Sequence, residues 1–163
     1  MTTNPVAPPS AFTVDFSIRM SDLSVSHHVN NVSFLRYLDE ARAIFFGASL
    51  GSTGFTGGIL EAVGESVIPI VARNEVEYRR EVWPADGPVT LRLWVPYVGG
   101  SSLVVAAEAT TAGSEEPCAV FESTVVLVSR ATGVPWRVDD AARRVFEVHG
   151  GPRPPMRPRA GLA

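Results

Sequence analysis

Lysine is absent from the 163 residues, and all 14 basic side chains are arginine. That excludes lysine Schiff-base chemistry and the phosphate-binding lysine of P-loops. Anion recognition must therefore rest on arginine forks or backbone amides. Cysteine is nearly absent: Cys118 stands alone, which excludes an internal disulfide and any multi-cysteine zinc site. Charge is sparse, with 19% charged residues and a formal net charge of −3, which argues against a nucleic-acid partner. No apolar run approaches the roughly 20 residues needed to cross a bilayer. Residues 1–11 lack both the basic start and the apolar stretch of a signal peptide. The expectation is a cytoplasmic protein with no membrane partner.

What is present is apolar: 45% of the residues are hydrophobic, enough for one domain with a sizeable core. Both ends read as flexible tails. Residues 1–11 hold Pro5, Pro8 and Pro9 without a charged side chain, and residues 150–163 hold Pro152, Pro154, Pro155 and Pro158 with three arginines. Setting those three aside leaves 11 arginines against 17 acidic residues, a charge of about −6 for the body at 12–149. No internal repeat is evident.

Along that body, residues 12–20 alternate as a strand, with Phe12, Val14, Phe16 and Ile18 on one face. Residues 21–31 are short-sided and polar, a loop that ends in a helix cap. The spacing of Val32, Leu35, Leu38, Ala41, Phe45 and Ala48 predicts a helix over 31–50, with Phe34, Tyr37 and Ile44 widening its apolar stripe. A helix apolar over most of its circumference is expected to be buried under sheet. Six of the 14 glycines fall in 47–64, a sharply turned or mobile connection. Period-two patterns then mark strands at 68–82, 89–96, 102–111 and 118–130, with hairpin-length breaks at 97–101 and 112–117. Residues 138–149 can form a short closing helix. One strand, one buried helix and four further strands make an α+β domain with an antiparallel sheet.

One stretch carries chemistry. Arg19, Asp22, Ser24 and the run His27-His28-Val29-Asn30-Asn31 are followed by Phe34, Tyr37, Glu40 and Arg42. Later come Glu77-Tyr78-Arg79-Arg80-Glu81 and Gly99-Gly100-Ser101-Ser102. This pattern resembles the hotdog-fold acyl-CoA and acyl-ACP thioesterases, over about residues 12–146. Their signature runs D-x-D-x-x-G-H-V-N-N and then Y-L-x-x-x-E-x-A-R. The resemblance implies an antiparallel sheet wrapped around the 31–50 helix, pairing into homodimers or homotetramers. It also implies an acyl chamber between subunits, shaped by Phe45, Phe46, Phe55 and the 47–64 connection, and no cofactor. The departures are equally specific: Ser24 stands where the hydroxybenzoyl-CoA group has its catalytic Asp, and His27 where it has Gly. In the acyl-ACP pattern the catalytic His falls on His28 and the catalytic Glu on Glu81, while Asp and Asn are replaced by Ser24 and Ser26.

Thioester hydrolysis needs an activated water or a nucleophile, a base, and donors for the oxyanion. The helix start offers the Asn30, Asn31 and Val32 amides as donors, although Asn30 and Asn31 can equally serve only as caps. His28 is a candidate base near neutral pH. Glu81 can orient it or act itself, and Asp22 is a third candidate. Ser24 is a possible nucleophile, but no Gly-x-Ser-x-Gly elbow surrounds it. Glu40 is expected to sit among apolar neighbours and so to need Arg36 or Arg42 as a partner. Arg79, Arg80 and Arg130 are candidates for coenzyme A phosphates, and Ser102 for a substrate-tunnel wall. Adjacent His27 and His28 are poorly spaced as metal ligands, so no metal is expected. The substrate is expected to be an acyl-CoA or an acyl-carrier protein; the rival reading is an acyl-thioester-binding protein that lost catalysis with its Asp.

Overall fold

The computed structural model describes residues 6–48 and 54–157. Residues 49–53 of the glycine-rich connection, and 1–5 and 158–163 of the two ends, lie outside the described residues. The elements are β1 (Phe12–Phe16), α1 (Asn31–Phe46), β2 (Val67–Tyr78), β3 (Val89–Val98), β4 (Ser102–Thr111), β5 (Ser114–Ser129) and α2 (Asp140–Val148). The five strands form one sheet in the order β1-β3-β4-β5-β2, and every pairing is antiparallel. This is the hotdog arrangement expected from the resemblance. β1 and β2 are its two edges.

Strand alternation splits the sheet into two buried faces. Leu91 and Leu93 of β3, Leu103 and Val105 of β4, and Phe121, Val125 and Leu127 of β5 share one core with Phe34, Leu38, Ala41 and Phe45 of α1. The helix starts at Asn30, whose side-chain oxygen accepts the Val32 amide at 3.0 Å. It stops at Gly47, which adopts a left-handed φ of 91°. The chain there passes so close to residue 58 that a Cβ on Gly58 would lie 2.1 Å from the Gly47 nitrogen. The helix is thus shorter than the apolar pattern predicted, because backbone crowding rather than side-chain spacing ends it.

The helix is also less buried than expected. Phe34, Tyr37, Leu38, Ala41 and Phe45 face the sheet, whereas Val32, Leu35 and Ile44 are exposed. Periodicity alone does not rank two overlapping apolar stripes; the sheet covers one of them.

The second sheet face is closed by the chain ends. Trp94, Ala106, Glu108 and Val120 point away from α1 yet are fully buried. Glu108 accepts the Val6 amide at 2.9 Å and pairs with Arg92 at 3.3 Å. The Arg92 guanidinium also donates to the Pro8 carbonyl. From the other end, Pro152 accepts the Trp94 indole N–H at 2.6 Å, Arg153 meets Glu122 and Arg157 meets Glu77. Residues expected to trail free, 6–11 and 150–157, therefore run across the sheet as straps. Proline suits this path: it forfeits no ladder donor and keeps its carbonyl to accept from the sheet.

α2 is capped by Asp139, whose side chain accepts the Ala142 amide at 2.8 Å. It packs Ala142 and Phe146 into the core. Just beyond it, His149 sits edge-on to Phe45, ring centroids 5.4 Å apart, and burial lowers its pKa. A base held neutral by the fold contributes stability that is full above its unfolded value near 6.5 and lost as pH falls through that range. Thermal unfolding of the wild type is therefore expected to weaken more between pH 7.5 and 5.5 than that of His149→Gln. No described helix is long and apolar enough to cross a membrane.

Candidate active site

The polar segment between β1 and α1 folds into a small closed loop. Leu23 bridges Val29, the Ser24 amide donates to the His28 carbonyl at 2.8 Å, and the Asn30 amide donates to the Asp22 carbonyl at 2.8 Å. His27 takes a left-handed φ of 65° to complete the turn, where glycine would do so without a Cβ penalty. His27→Gly is expected to raise stability by up to about 1 kcal/mol, the relieved strain exceeding glycine's entropy cost. A chemical denaturation midpoint that falls instead would contradict this.

Asp22 is the anchor of the loop. Its carboxylate accepts the Arg19 amide at 2.8 Å and the Tyr37 hydroxyl at 2.8 Å, and lies 3.4 Å from Arg36. Burial, reinforced by that hydrogen bond, pushes the Tyr37 pKa well above its ordinary value. Such a carboxylate is occupied on both oxygens, and it faces a groove with Phe16 and Glu40 on the other side of the helix.

A second connection delivers the partner of the loop. The Val29 amide donates to the Val82 carbonyl at 2.8 Å, which sets residue 28 beside residue 81. His28 Nδ1 and Glu81 Oε1 are 4.0 Å apart. Trp83 packs edge-on against the imidazole, 5.8 Å between ring centroids. His28 and Glu81 open on a cavity of about 290 Å³ whose lining also includes Asn31, Phe34, Tyr78 and Arg80. The Tyr78 hydroxyl donates to the Asn31 carbonyl at 3.1 Å, and burial raises its pKa.

The three candidate oxyanion donors separate here. The Asn30 amide is spent on Asp22 and the Val32 amide on the Asn30 side chain. Asn31 keeps an N–H with no acceptor among the described residues, at the positive end of the helix dipole, and Asn31 is one of the residues lining the cavity.

Other candidates lie elsewhere or are committed. The Ser24 hydroxyl accepts the Ser26 amide at 3.2 Å, within the turn and outside the cavity lining. Glu40 is exposed; the buried charge on the helix is Arg42, bound to Asp39, Ser123 and Asn74. The expected burial of Glu40 assumed the wrong stripe. Ser102 pairs with Val126, and Ile70 in turn pairs with Val126. Tyr78 is eight residues further along β2, so Ser102 lies roughly 25 Å from the cavity at about 3.3 Å per residue. Arg130, bonded to the Glu65 carbonyl, is at that same far end. Arg79 lines the cavity, but its guanidinium binds Glu77 at 3.0 Å and the Pro155 carbonyl at 2.7 Å. Burial alone would raise the Glu77 pKa, yet the Arg157 amide and the Arg79 and Arg157 guanidiniums hold it low. Arg80, bonded to Thr111 at 2.6 Å and 3.7 Å from Asp86, is the less buried of the adjacent pair.

Phe34, Tyr78 and Trp83 were not legible as site residues. Phe34 reads in sequence as helix core and Tyr78 as strand, Trp83 falls between two predicted strands, and the closure of residue 29 on residue 82 gathers them. Phe45 and Phe46 pack in the core near the opposite end of α1. Among the described residues, no three His, Cys, Asp or Glu side chains cluster as metal ligands would.

No functionally curated protein matches the sequence. Solved structures do match. A thioesterase of Thermus thermophilus complexed with coenzyme A and Zn is 28% identical, with a TM-score of 0.64 over 91% of this chain and 96% of that one. The PA5185 protein of Pseudomonas aeruginosa PAO1 is 20% identical, with a TM-score of 0.72 over 93% of this chain and 100% of that one. A thioesterase-superfamily protein of Jannaschia sp. CCS1 is 20% identical, with a TM-score of 0.71 over 92% and 98%. The family model described as the thioesterase-like superfamily matches residues 18–156, which takes in the loop, the helix and all of the sheet but β1. That match covers most of the chain, and with it this chain belongs to the thioesterase-like superfamily.

Proposed function

We propose that the protein hydrolyses an acyl thioester of coenzyme A or of a carrier protein. The observation that carries this reading is the pairing of His28 with Glu81 beside the one first-turn amide, Asn31, left without an acceptor among the described residues. Water held by His28 attacks the thioester carbonyl and gives its proton to the imidazole. The oxyanion that forms takes the Asn31 N–H and the helix dipole. Collapse breaks the C–S bond, the thiolate takes the proton back from His28, and the acid departs. Glu81 orients the imidazole and stabilises its cationic form. Arg80, at the cavity rim, is the anchor for a phosphate of the carrier arm.

The reading includes a homodimer. β2 is a 12-residue edge strand with Ile70 and Val71 exposed, and an open edge of that length invites a second strand. Ser24 favours a second reading, an acyl-thioester-binding protein without turnover, because it stands where the hydroxybenzoyl-CoA group has its catalytic Asp. A thiol-release assay over acyl-CoA and acyl-carrier-protein substrates separates the two. Turnover supports the hydrolase; binding without turnover by any of them overturns it.

A further inference from the structure

We propose that Tyr78 is a positioning residue: its hydroxyl clamps the peptide unit between Asn31 and Val32, and so fixes the Asn31 N–H that receives the oxyanion. The inference rests on the hydrolase reading and deepens it. Asn31 is the first residue of α1, and two peptide units meet at its Cα. The unit that runs on to Val32 is held at both ends. Its N–H donates to the Asn30 side chain at 3.0 Å, and its carbonyl accepts the Tyr78 hydroxyl at 3.1 Å. The unit that comes from Asn30 is held through its carbonyl, which accepts the Ser33 amide at 2.9 Å. What remains is the Asn31 N–H, which has no acceptor among the described residues. A donor fixed before the reaction leaves no reorganisation to be done as the oxyanion forms.

The ties differ in origin. Asn30 and Ser33 belong to the same turn and move with it. Tyr78 ends β2, so its bond fixes that turn against the sheet. The strand in turn holds the ring: Tyr78 pairs with Ala119 of β5 and meets the buried Phe34 at 5.8 Å. Burial also raises the Tyr78 pKa, so the hydroxyl remains a donor throughout the neutral range. Further along the same segment, the Val82 carbonyl accepts the Val29 amide at 2.8 Å. Residues 29 and 31 are thus tied to residues 82 and 78. The first tie brings His28 beside Glu81, and the second sets the Asn31 amide relative to that pair.

Tyr78→Phe in the full-length protein removes the hydroxyl and keeps the ring on Phe34. Thiol release is followed with whichever of acetyl-, hexanoyl-, benzoyl- and palmitoyl-CoA the wild type cleaves fastest. The variant is expected to lose about tenfold in kcat with KM within about twofold, the pattern of an interaction realised in the transition state. An unchanged kcat, or a loss carried by KM, overturns the role. So does a fall beyond about 10²-fold, which would make the hydroxyl itself an oxyanion donor. Backbone amide NMR relaxation reads the clamp directly, and the dispersion of the spectrum shows that the variant is folded. Order parameters at Asn31 and Val32 are expected near the rigid value of about 0.85 in the wild type and lower in Tyr78→Phe; unchanged order at both overturns the clamp. If the wild type cleaves no thioester, the hydrolase reading fails and the oxyanion role falls with it, while the relaxation data still decide whether Tyr78 holds Asn31.

Discussion

Replacing His28 with alanine is expected to lower kcat/KM for thioester hydrolysis by about 10²–10⁴-fold, the usual contribution of a positioned general base. Glu81→Gln is expected to cost less, about tenfold. Its carboxylate is 4.0 Å from the imidazole and 64% exposed, and exposed pairs contribute little because water screens them. A Glu81→Gln loss as large as that of His28→Ala would reassign the base to Glu81. Full activity in His28→Ala would remove the imidazole from the chemistry altogether. Ser24→Ala is expected to stay within a few-fold of wild type, because the hydroxyl accepts a turn amide and does not line the cavity.

The largest stability effect is expected away from the site, at Trp94. Trp94→Ala removes a fully buried indole from the strapped face of the sheet and is expected to destabilise the fold by about 3–5 kcal/mol. The loss has two parts. A cavity opens beneath Gly151, where the indole lies so close that a Cβ would come within 2.6 Å of its Cδ1, and the Pro152 carbonyl loses its donor. Urea unfolding measures the total, and limited proteolysis between residues 150 and 157 reports whether the strap has come away. Trp94→Phe separates the parts: it keeps much of the volume and loses the N–H, with an expected cost of about 1–2 kcal/mol. If Trp94→Ala unfolded within 1 kcal/mol of wild type, the strap would not be held by this residue.

Several features were legible in the residues themselves. β4 occupies 102–111 as the alternation predicted, and β3 and α2 differ only at their ends. β4 is buried at nearly every position because both sheet faces are covered, and its register is held because a one-residue slip would turn every side chain over. The start of α1 was equally plain, since the Asn30 side chain caps it by a local bond. Errors arose where distant segments meet. Gly58 stops α1 from across the glycine-rich connection, so the pattern overran at 47–48. Proline-rich ends read as free chain, whereas carbonyl acceptors on Pro8, Pro152 and Pro155 fasten them to Arg92, Trp94 and Arg79.

The candidate site divides along the same line. His28, Glu81 and Asn31 could be named from residue type and motif, because the chemistry of an imidazole, a carboxylate and a helix-start amide is intrinsic to them. Which amide stays free, which carboxylate is occupied and which rings wall the cavity are not intrinsic. Asp22 and Glu81 are both acidic residues near a conspicuous motif. One is filled by Arg19, Arg36 and Tyr37, and the other is delivered to His28 by a single backbone bond from Val29 to Val82. Sequence alone determined the α+β class and the absence of lysine, and it named the candidate groups His28, Glu81 and Asn31. Tertiary structure alone decided their availability, because hydrogen-bond saturation and enclosure depend on partners brought together from distant parts of the chain.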